Sequence, residues 1–178
     1  MFTKKNDIND CKKFLKEANL LDSLVHESII GFKGVCYDPP SIMLEYASFD
    51  FDPLGKNMNC SSLDSFLRTE DDFSLTNLES FSRFIVRDVV KGVQFLHLKG
   101  IVHRGIKPAN VLVCNQHYAN ISIKKEMYEA MNRIPIKCKL GDFGESRSKH
   151  LQTKTLLMSN TVNVHRGTLS KKKKKIKY

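Results

Sequence analysis

The sequence has no long apolar run and no apolar leader at its start. None of its apolar segments approaches the roughly 18 residues that a membrane-spanning helix requires. The first twenty residues carry several charges where a secretory signal peptide needs an apolar core. A membrane span and secretion are therefore not indicated. We expect a cytoplasmic protein, or a nuclear one if the lysine-rich end is a targeting signal.

The cysteines lack the spacing of a metal site or a disulfide framework. There are five, at positions 11, 36, 60, 114 and 138, and no pair has C-x-x-C spacing. An odd number without such pairs favours neither zinc ligands nor a set of disulfides. Free or buried thiols in a reducing compartment are the simpler prediction.

The excess of positive charge is concentrated at one end. The chain is 41% apolar and 27% charged, which is ordinary for a globular protein of 178 residues. Six of its 29 Lys and Arg residues are lysines at 171–175 and 177, and subtracting them from the net charge of +10 leaves +4. We therefore expect nucleic acid or an acidic surface to bind only through the tail at 171–178.

Apolar periodicity predicts two principal helices. Apolar residues at spacings of three and four predict a helix over 11–25, capped by Asn9 or Asp10. A longer stripe predicts a helix over 78–98, and Gly100 is suited to end it because glycine accepts a positive φ.

Turn residues and short apolar runs predict the remaining elements. A hairpin is predicted over 30–46, with Pro39 and Pro40 in its connection. Residues 47–60 contain Asp, Pro, Gly and Asn and are predicted to be a linker, and 145–170 to be an irregular loop. Further short elements follow from the same reasoning: helices over 62–68 and 123–132, and strands over 101–102, 111–113 and 137–140.

A polar loop between two apolar runs carries the strongest pattern in the chain. It reads H-R-G-I-K-P-A-N at 103–110 and is followed by V-L-V, and D-F-G stands downstream at 142–144. Together these segments resemble the catalytic loop, H-R-D-x-K-x-x-N, and the magnesium motif, D-F-G, of eukaryotic protein kinases. Lys107, two residues after the base position, is similar to the serine/threonine form of that loop.

The resemblance implies a role for each polar position. Asp142 and Asn110 would supply oxygen ligands to Mg²⁺ bound with ATP, and Lys107 would place a positive charge beside the transferred phosphoryl group. The family's general base is replaced by Gly105, which has no acceptor side chain. His103 is expected to pack beside the D-F-G phenylalanine and not to act as a base. ATP and Mg²⁺ are thus the implied cofactors of a loop that lacks its base.

Upstream residues extend the resemblance to a nucleotide site. F-L-K-E-A at 14–18 resembles the αC helix of kinases, with Glu17 in place of the glutamate that pairs with the lysine of V-A-I-K. M-L-E-Y-A at 43–47 resembles the strand and hinge beside adenine, with Leu44 as gatekeeper and the backbones of Glu45 and Ala47 facing the base. Taken alone, Glu17 is better explained as a solvated helix charge, and Leu44 fits a core position equally well.

Other parts of the kinase pattern are missing. The sequence contains neither G-x-G-x-x-G nor V-A-I-K, and V-H-R-G-T-L-S at 164–170 resembles the end of an activation segment interrupted by lysines. The long separation of Asn110 from Asp142 predicts an insertion at 115–135. We predict a partial α+β protein-kinase-like fold over 1–170, from the αC helix through the hinge, the αE helix, the catalytic loop and D-F-G to the activation segment. Its predicted parts are an N-lobe remnant at 1–46, a hinge or linker at 47–60, the start of a C-lobe at 61–170 and the tail at 171–178.

Three functions are compatible with these residues. The favoured one is a serine/threonine-kinase-like domain that binds ATP, transfers phosphate poorly because of Gly105, and regulates a protein partner. The second is an active serine/threonine kinase in complete form that phosphorylates protein substrates, with Gly105 compensated or a sequence error. The third is a basic adaptor that binds nucleic acid or acidic surfaces through the tail, although a truncated reading frame is the simpler origin of that tail.

Overall fold

Helices and short strands alternate along the chain. A computed structural model describes residues 4–73 and 78–148, with side chains placed for 13–69 and 81–147. These ranges contain five helices: α1 (Lys4–Asp22), α2 (Leu63–Phe73), α3 (Leu78–Leu98), α4 (Gln116–Ala119) and α5 (Lys124–Arg133). They also contain eight strands: β1 (Phe32–Tyr37), β2 (Pro40–Leu44), β3 (Phe49–Asp50), β4 (Asn59–Cys60), β5 (Ile101–Val102), β6 (Val111–Cys114), β7 (Lys137–Leu140) and β8 (Arg147–Ser148). The predicted α+β class is confirmed.

The strands pair as four antiparallel ribbons. β1 pairs with β2, β3 with β4, β5 with β8, and β6 with β7. The loop at 103–110 runs from β5 to β6, and the loop at 141–146 runs from β7 to β8. The outer strands β5 and β8 pair with each other, and so do the inner strands β6 and β7. These four strands and the two loops therefore form a closed ring, which we call the two-loop ring. The fold thereby places H-R-G and D-F-G side by side.

α1 begins earlier than its apolar stripe predicts. The helix starts at Lys4, so Asn9 and Asp10 lie inside it and the predicted cap is wrong. The stripe marks only where other elements cover the helix, and polar turns extend it beyond that point. At its other end the helix stops at Asp22, and Val25, the last residue of the predicted stripe, is 86% exposed.

The predicted hairpin over 30–46 is confirmed, except that Pro40, predicted to lie in its connection, is the first residue of β2. β1 and β2 pair from Phe32 with Leu44 to Tyr37 with Pro40. β2 ends at Leu44, so the chain enters residues 45–47 directly from a strand.

Residues 47–60 form a second hairpin and are not a linker. β3 and β4 flank a 3₁₀ turn at Asp52–Leu54. Phe49 and Phe51 are fully buried, and the Phe49 ring makes edge contacts with Phe66 and Phe81 at centroid separations of 4.9 and 6.2 Å. The Asp, Pro and Gly residues that suggested a linker supply the turn, whereas the two phenylalanines anchor it in the core.

α3 packs closely against β7 at a glycine. The helix predicted over 78–98 is confirmed, and Gly100 just beyond it has a φ of 67°. A Cβ atom at Gly92 would lie 2.9 Å from Leu140 Cδ1 and 2.9 Å from the backbone oxygen of Ser28. Only glycine permits this approach. α3 therefore holds β7, the strand that leads into the D-F-G loop.

The segment at 115–135 carries two helices. The surface helix predicted over 123–132 is confirmed as α5, whereas α4 was not predicted. Tyr118 is fully buried and donates its hydroxyl to the carbonyl of Pro135 at 2.7 Å. His117 Nε2 lies 2.8 Å from the carbonyl oxygen of Ile134 and, because a carbonyl only accepts, carries the proton of the neutral ring. These two bonds close the segment at its base.

His117 is expected to make the chain sensitive to mild acid. Burial lowers the pKa of His117, and the nearby Lys137 adds to that effect, while the bond to Ile134 opposes it. Its Nδ1 atom is buried without a hydrogen-bond partner among the described residues. Since the folded chain binds a proton less readily than the unfolded chain, stability present above the ordinary pKa of 6.5 is lost as pH falls below it.

We therefore expect the melting temperature to fall more steeply between pH 7 and pH 5 for the parent chain than for His117→Gln. The glutamine amide can still donate to Ile134 but does not titrate. Parallel slopes for the two proteins over this interval would contradict the assignment, and circular dichroism melts at several pH values measure it.

The described thiols are free, and most are buried. Burial raises the pKa of the Cys60 thiol to about 11 and also raises the pKa values of Cys114 and Cys138, so these thiols stay protonated near neutral pH.

Among the described helices, none is both long and apolar enough to cross a membrane.

Candidate active site

His103 is a structural residue that joins the two loops. It is buried, its Nε2 lies 3.0 Å from the carbonyl oxygen of Gly141, and its Nδ1 accepts the N–H of Gly105 at 3.2 Å. Because the carbonyl of Gly141 only accepts, Nε2 carries the proton and Nδ1 is the acceptor. The ring packs beside Phe143 with centroids 4.9 Å apart, which confirms the predicted contact. Both ring nitrogens are used within the protein, so neither is available as a base.

Gly105 and Asn110 are linked within the loop. The Asn110 side-chain Nδ2 donates to the carbonyl of Gly105 at 2.9 Å, and the Asn110 carbonyl accepts the N–H of Gly141 at 2.9 Å. With its nitrogen used in this way, the Asn110 amide has its oxygen left for a ligand. Gly105, the base position, presents only backbone atoms.

Asp142 is exposed and lies at the same end of the β6–β7 ribbon as Asn110. Val111 pairs with Leu140, so the residues on either side of this pair, Asn110 and Gly141, are neighbours. Asp142 has a φ of 56° and Arg104 has a φ of 68°, a region that non-glycine residues rarely occupy. Strain of this kind persists where the surrounding structure enforces it, and it clusters at functional sites. The structure thus brings Asn110 and Asp142, the residues predicted to supply the oxygen ligands, to the same end of the ribbon.

Glu17 of α1 lies against the D-F-G loop. A Cβ atom at Gly144 would be 3.8 Å from Glu17 Oε2, and the Glu17 carboxylate accepts a hydrogen bond from the backbone of Phe143. Burial raises the pKa of Glu17, and the negative charge of Asp142 raises it further, against the opposing effect of the Phe143 bond. Among the side chains that are placed, no lysine or arginine forms an ion pair with Glu17. Glu17 is therefore more than a solvated charge on a helix, since it shares a site with a second carboxylate.

We expect Glu17→Gln to stabilise the chain at pH 7, by up to about 1 kcal/mol. A raised pKa in the folded state means that stability is complete below the ordinary value of 4.5 and is lost as pH rises through the folded pKa. The amide removes the repulsion but still accepts the Phe143 N–H.

Urea unfolding at pH 7 and pH 4 measures the effect, with Glu129→Gln on the exposed side of α5 as the matched substitution. The gain should shrink at pH 4. If Glu17→Gln stabilised the chain equally at both pH values, or not at all at pH 7, the repulsion between Glu17 and Asp142 would be contradicted.

The predicted hinge residues lie at the end of β2. Leu44 is 40% exposed, so it does not occupy a core position. The N–H of Glu45 donates to the carbonyl of Gly31 at 2.7 Å, and the Glu45 carboxylate accepts the N–H of Gly31 at 2.9 Å and pairs with Lys139. Burial alone would raise the pKa of Glu45, but the Lys139 and Gly31 bonds outweigh it and lower that pKa. The backbone role assigned to Glu45 and Ala47 stays a prediction.

Lys107 is exposed and extended. Its backbone has φ of −153° and ψ of 158°, directly before the 3₁₀ turn at Pro108–Asn110, and its carbonyl accepts the N–H of Asn110 at 2.9 Å. Its ammonium group has no ion-pair partner among the side chains that are placed. The charge is therefore available to an anionic ligand beside Asn110.

Two supporting residues have no sequence pattern that would have revealed them. Ser146 is buried and donates its hydroxyl to the carbonyl of His103 at 3.1 Å. Asp88 of α3 is buried and accepts the N–H of Cys138 at 3.0 Å, which fixes β7. A third supporting residue, Gly92, could have been recognised from the sequence, because a glycine inside a strongly periodic helix often has a packing reason.

A single family model matches all the residues that the structure describes. The family model for the protein kinase domain matches residues 1–169. The probable serine/threonine-protein kinase roco8 of Dictyostelium discoideum is 30% identical over 144 residues, which are 79% of this chain and 6% of that protein. The serine/threonine-protein kinase ssp1 of Schizosaccharomyces pombe is 31% identical over 115 residues, 62% of this chain and 15% of that protein.

A third relative shows the same pattern. Mitogen-activated protein kinase 4 of Arabidopsis thaliana is 25% identical over 149 residues, which cover 81% of this chain and 31% of that protein. The chain thus spans less than a third of the length of each of these relatives.

Proposed function

Because the chain belongs to the protein kinase domain family, we propose that it binds a magnesium–nucleotide complex and transfers phosphate poorly or not at all. In this family ATP and Mg²⁺ are used in general, and proteins are the substrates. The proposal is therefore a pseudokinase of the serine/threonine type that acts on a protein partner. The observation that carries it is the survival of both oxygen donors, Asn110 and Asp142, beside a base position that has no side chain.

The residues present fit a magnesium ion. Gly105 occupies the Asn110 amide nitrogen, the Asn110 side-chain oxygen accepts no hydrogen bond from the described residues, and Asp142 is an exposed carboxylate. No group of three or more His, Cys, Asp or Glu side chains that could hold a metal occurs in the described part of the chain. Mg²⁺ does not need one, since it commonly binds through one or two carboxylates together with phosphate oxygens and water. When bound, it would neutralise charge on the phosphates.

The remaining residues bind and orient the nucleotide. Lys107, which has no ion-pair partner among the placed side chains, supplies a cation in the same loop as Asn110, and 45–47 presents backbone to the adenine. Phosphoryl transfer depends mostly on positioning and electrostatics, and the general base adds about 10²–10⁴ in rate. The loss of that base at Gly105 should therefore reduce turnover far more than nucleotide binding.

A thermal shift of the full chain with ATP, with and without Mg²⁺, tests the binding. We expect a magnesium-dependent rise in melting temperature that Asp142→Asn abolishes. Asparagine is chosen because it tolerates the positive φ of this position. Asp38→Asn, at the exposed tip of the β1–β2 hairpin, is the matched control and should keep the shift. No magnesium-dependent shift in the parent chain would refute the proposal.

A further inference from the structure

Asn115 is a buried amide that joins two segments far apart in sequence. It is fully buried, its Oδ1 accepts the N–H of Asp50 at 2.8 Å, and its Nδ2 donates to the carbonyl of Asp50 at 2.7 Å. Its own backbone N–H donates to the carbonyl of Ser48 at 3.3 Å. The side chain thus pairs with Asp50 as a neighbouring strand would, through one donor and one acceptor.

The two segments lead to the two halves of the candidate site. Asn115 directly follows β6, and β6 begins one residue after Asn110. Asp50 lies in β3, three residues after Ala47 and five after Glu45. The Asn115–Asp50 pair therefore connects the segment of the proposed adenine-facing backbone with the strand that directly follows the proposed magnesium ligand Asn110.

Core packing already anchors the β3–β4 hairpin. Phe49 and Phe51 on either side of Asp50 are fully buried in the aromatic cluster with Phe66. Apolar packing holds a hairpin in the core but is not directional, whereas two opposed hydrogen bonds fix a register and a distance. The amide thus adds a defined spacing to a segment that is already anchored.

We propose that Asn115 is a positioning residue that sets the distance between residues 45–47 and the Asn110–Asp142 end of the β6–β7 ribbon. The inference rests on the proposed nucleotide binding. Once a ligand has bound one half of the site, its contact with the other half is intramolecular. That second contact increases the affinity only if the distance between the two halves matches the length of the ligand. A ligand that contacts one half is indifferent to the spacing.

The test compares two ligands on the full chain by titration. Adenosine would contact only the 45–47 segment, and Mg–ADP would contact both halves. We expect Asn115→Ala to raise the Kd for Mg–ADP at least about ten-fold and the Kd for adenosine less than about two-fold. Asn115→Asp keeps the acceptor for the Asp50 N–H but sets a carboxylate oxygen against the Asp50 carbonyl, so it should weaken Mg–ADP binding at least as much as Asn115→Ala. Ile136→Val, another fully buried position without a hydrogen bond to 48–50, is the control for lost stability and should change neither Kd more than about two-fold.

The outcomes separate the two claims. If the parent binds no Mg–ADP, the proposed function fails and the inference fails with it. If the parent binds and Asn115→Ala either binds equally well or weakens both ligands by the same factor, only the inference is overturned. Failure of both Asn115 variants to fold would make Asn115 a folding determinant and would overturn it too.

Discussion

Gly105→Asp should raise phosphate transfer by the full chain at least ten-fold, because it restores a general base where the loop has only backbone. General-base participation is typically worth about 10²–10⁴ in rate. The site accepts the added Cβ atom, which would lie 3.4 Å from Asn110 Nδ2 and 3.6 Å from His103 Nδ1, both ordinary contacts. Gly105 is also not among the glycines with a positive φ, so an aspartate there is unstrained.

The measurement is transfer of labelled phosphate from ATP to a mixture of serine and threonine peptides. Gly105→Asn has nearly the same shape as the aspartate but no basicity, so it should stay at the parent level. Asp142→Asn in the Gly105→Asp background is the blank. The pseudokinase proposal would be refuted if the parent chain transferred phosphate robustly and Gly105→Asp left that rate unchanged.

Gly92→Ala should destabilise the chain by about 1–3 kcal/mol, the usual range for overpacking a filled interior. Helix propensity alone predicts the opposite, because alanine is favoured over glycine by about 1 kcal/mol inside a helix. Packing should dominate since the added methyl would meet the backbone oxygen of Ser28 at 2.9 Å, and a backbone atom has no rotamer in which to avoid it.

Urea unfolding measures this difference. Gln94→Ala, two residues further along α3 and exposed, is the control and should change the free energy of unfolding by less than about 0.5 kcal/mol. If Gly92→Ala left the free energy of unfolding unchanged or raised it, α3 and β7 would be shown to separate without cost.

The site was predictable from the sequence to the extent that it depends on local motifs. H-R-G-I-K-P-A-N and D-F-G predicted the two loops, and the structure places Asn110 and Asp142 at one end of the β6–β7 ribbon. α3 was predictable as well, since its apolar stripe is long and a glycine follows its last turn. In these cases the residues that determine the structure are close together in the chain.

The remainder depends on contacts that a local pattern does not contain. Residues 47–60 have the composition of a linker, and the burial of Phe49 becomes evident only when α2 and α3 lie over it. Asn115 is separated from Asp50 by 65 positions, so no window of sequence relates them. The start of α1 was missed for a related reason, because its residues before Cys11 are polar except for Ile8, and one apolar residue does not define a helical period.

The two-loop ring has a consequence for motion at the site. His103 is bound to Gly141 and Ser146, and Asn110 is bound to Gly141, so bonds cross between the loops at both ends of the ring. Neither loop can leave its place without breaking bonds of the other. We therefore expect local unfolding of this region to be a single cooperative event with one free energy of opening, so that the backbone amides of the two loops exchange with solvent together.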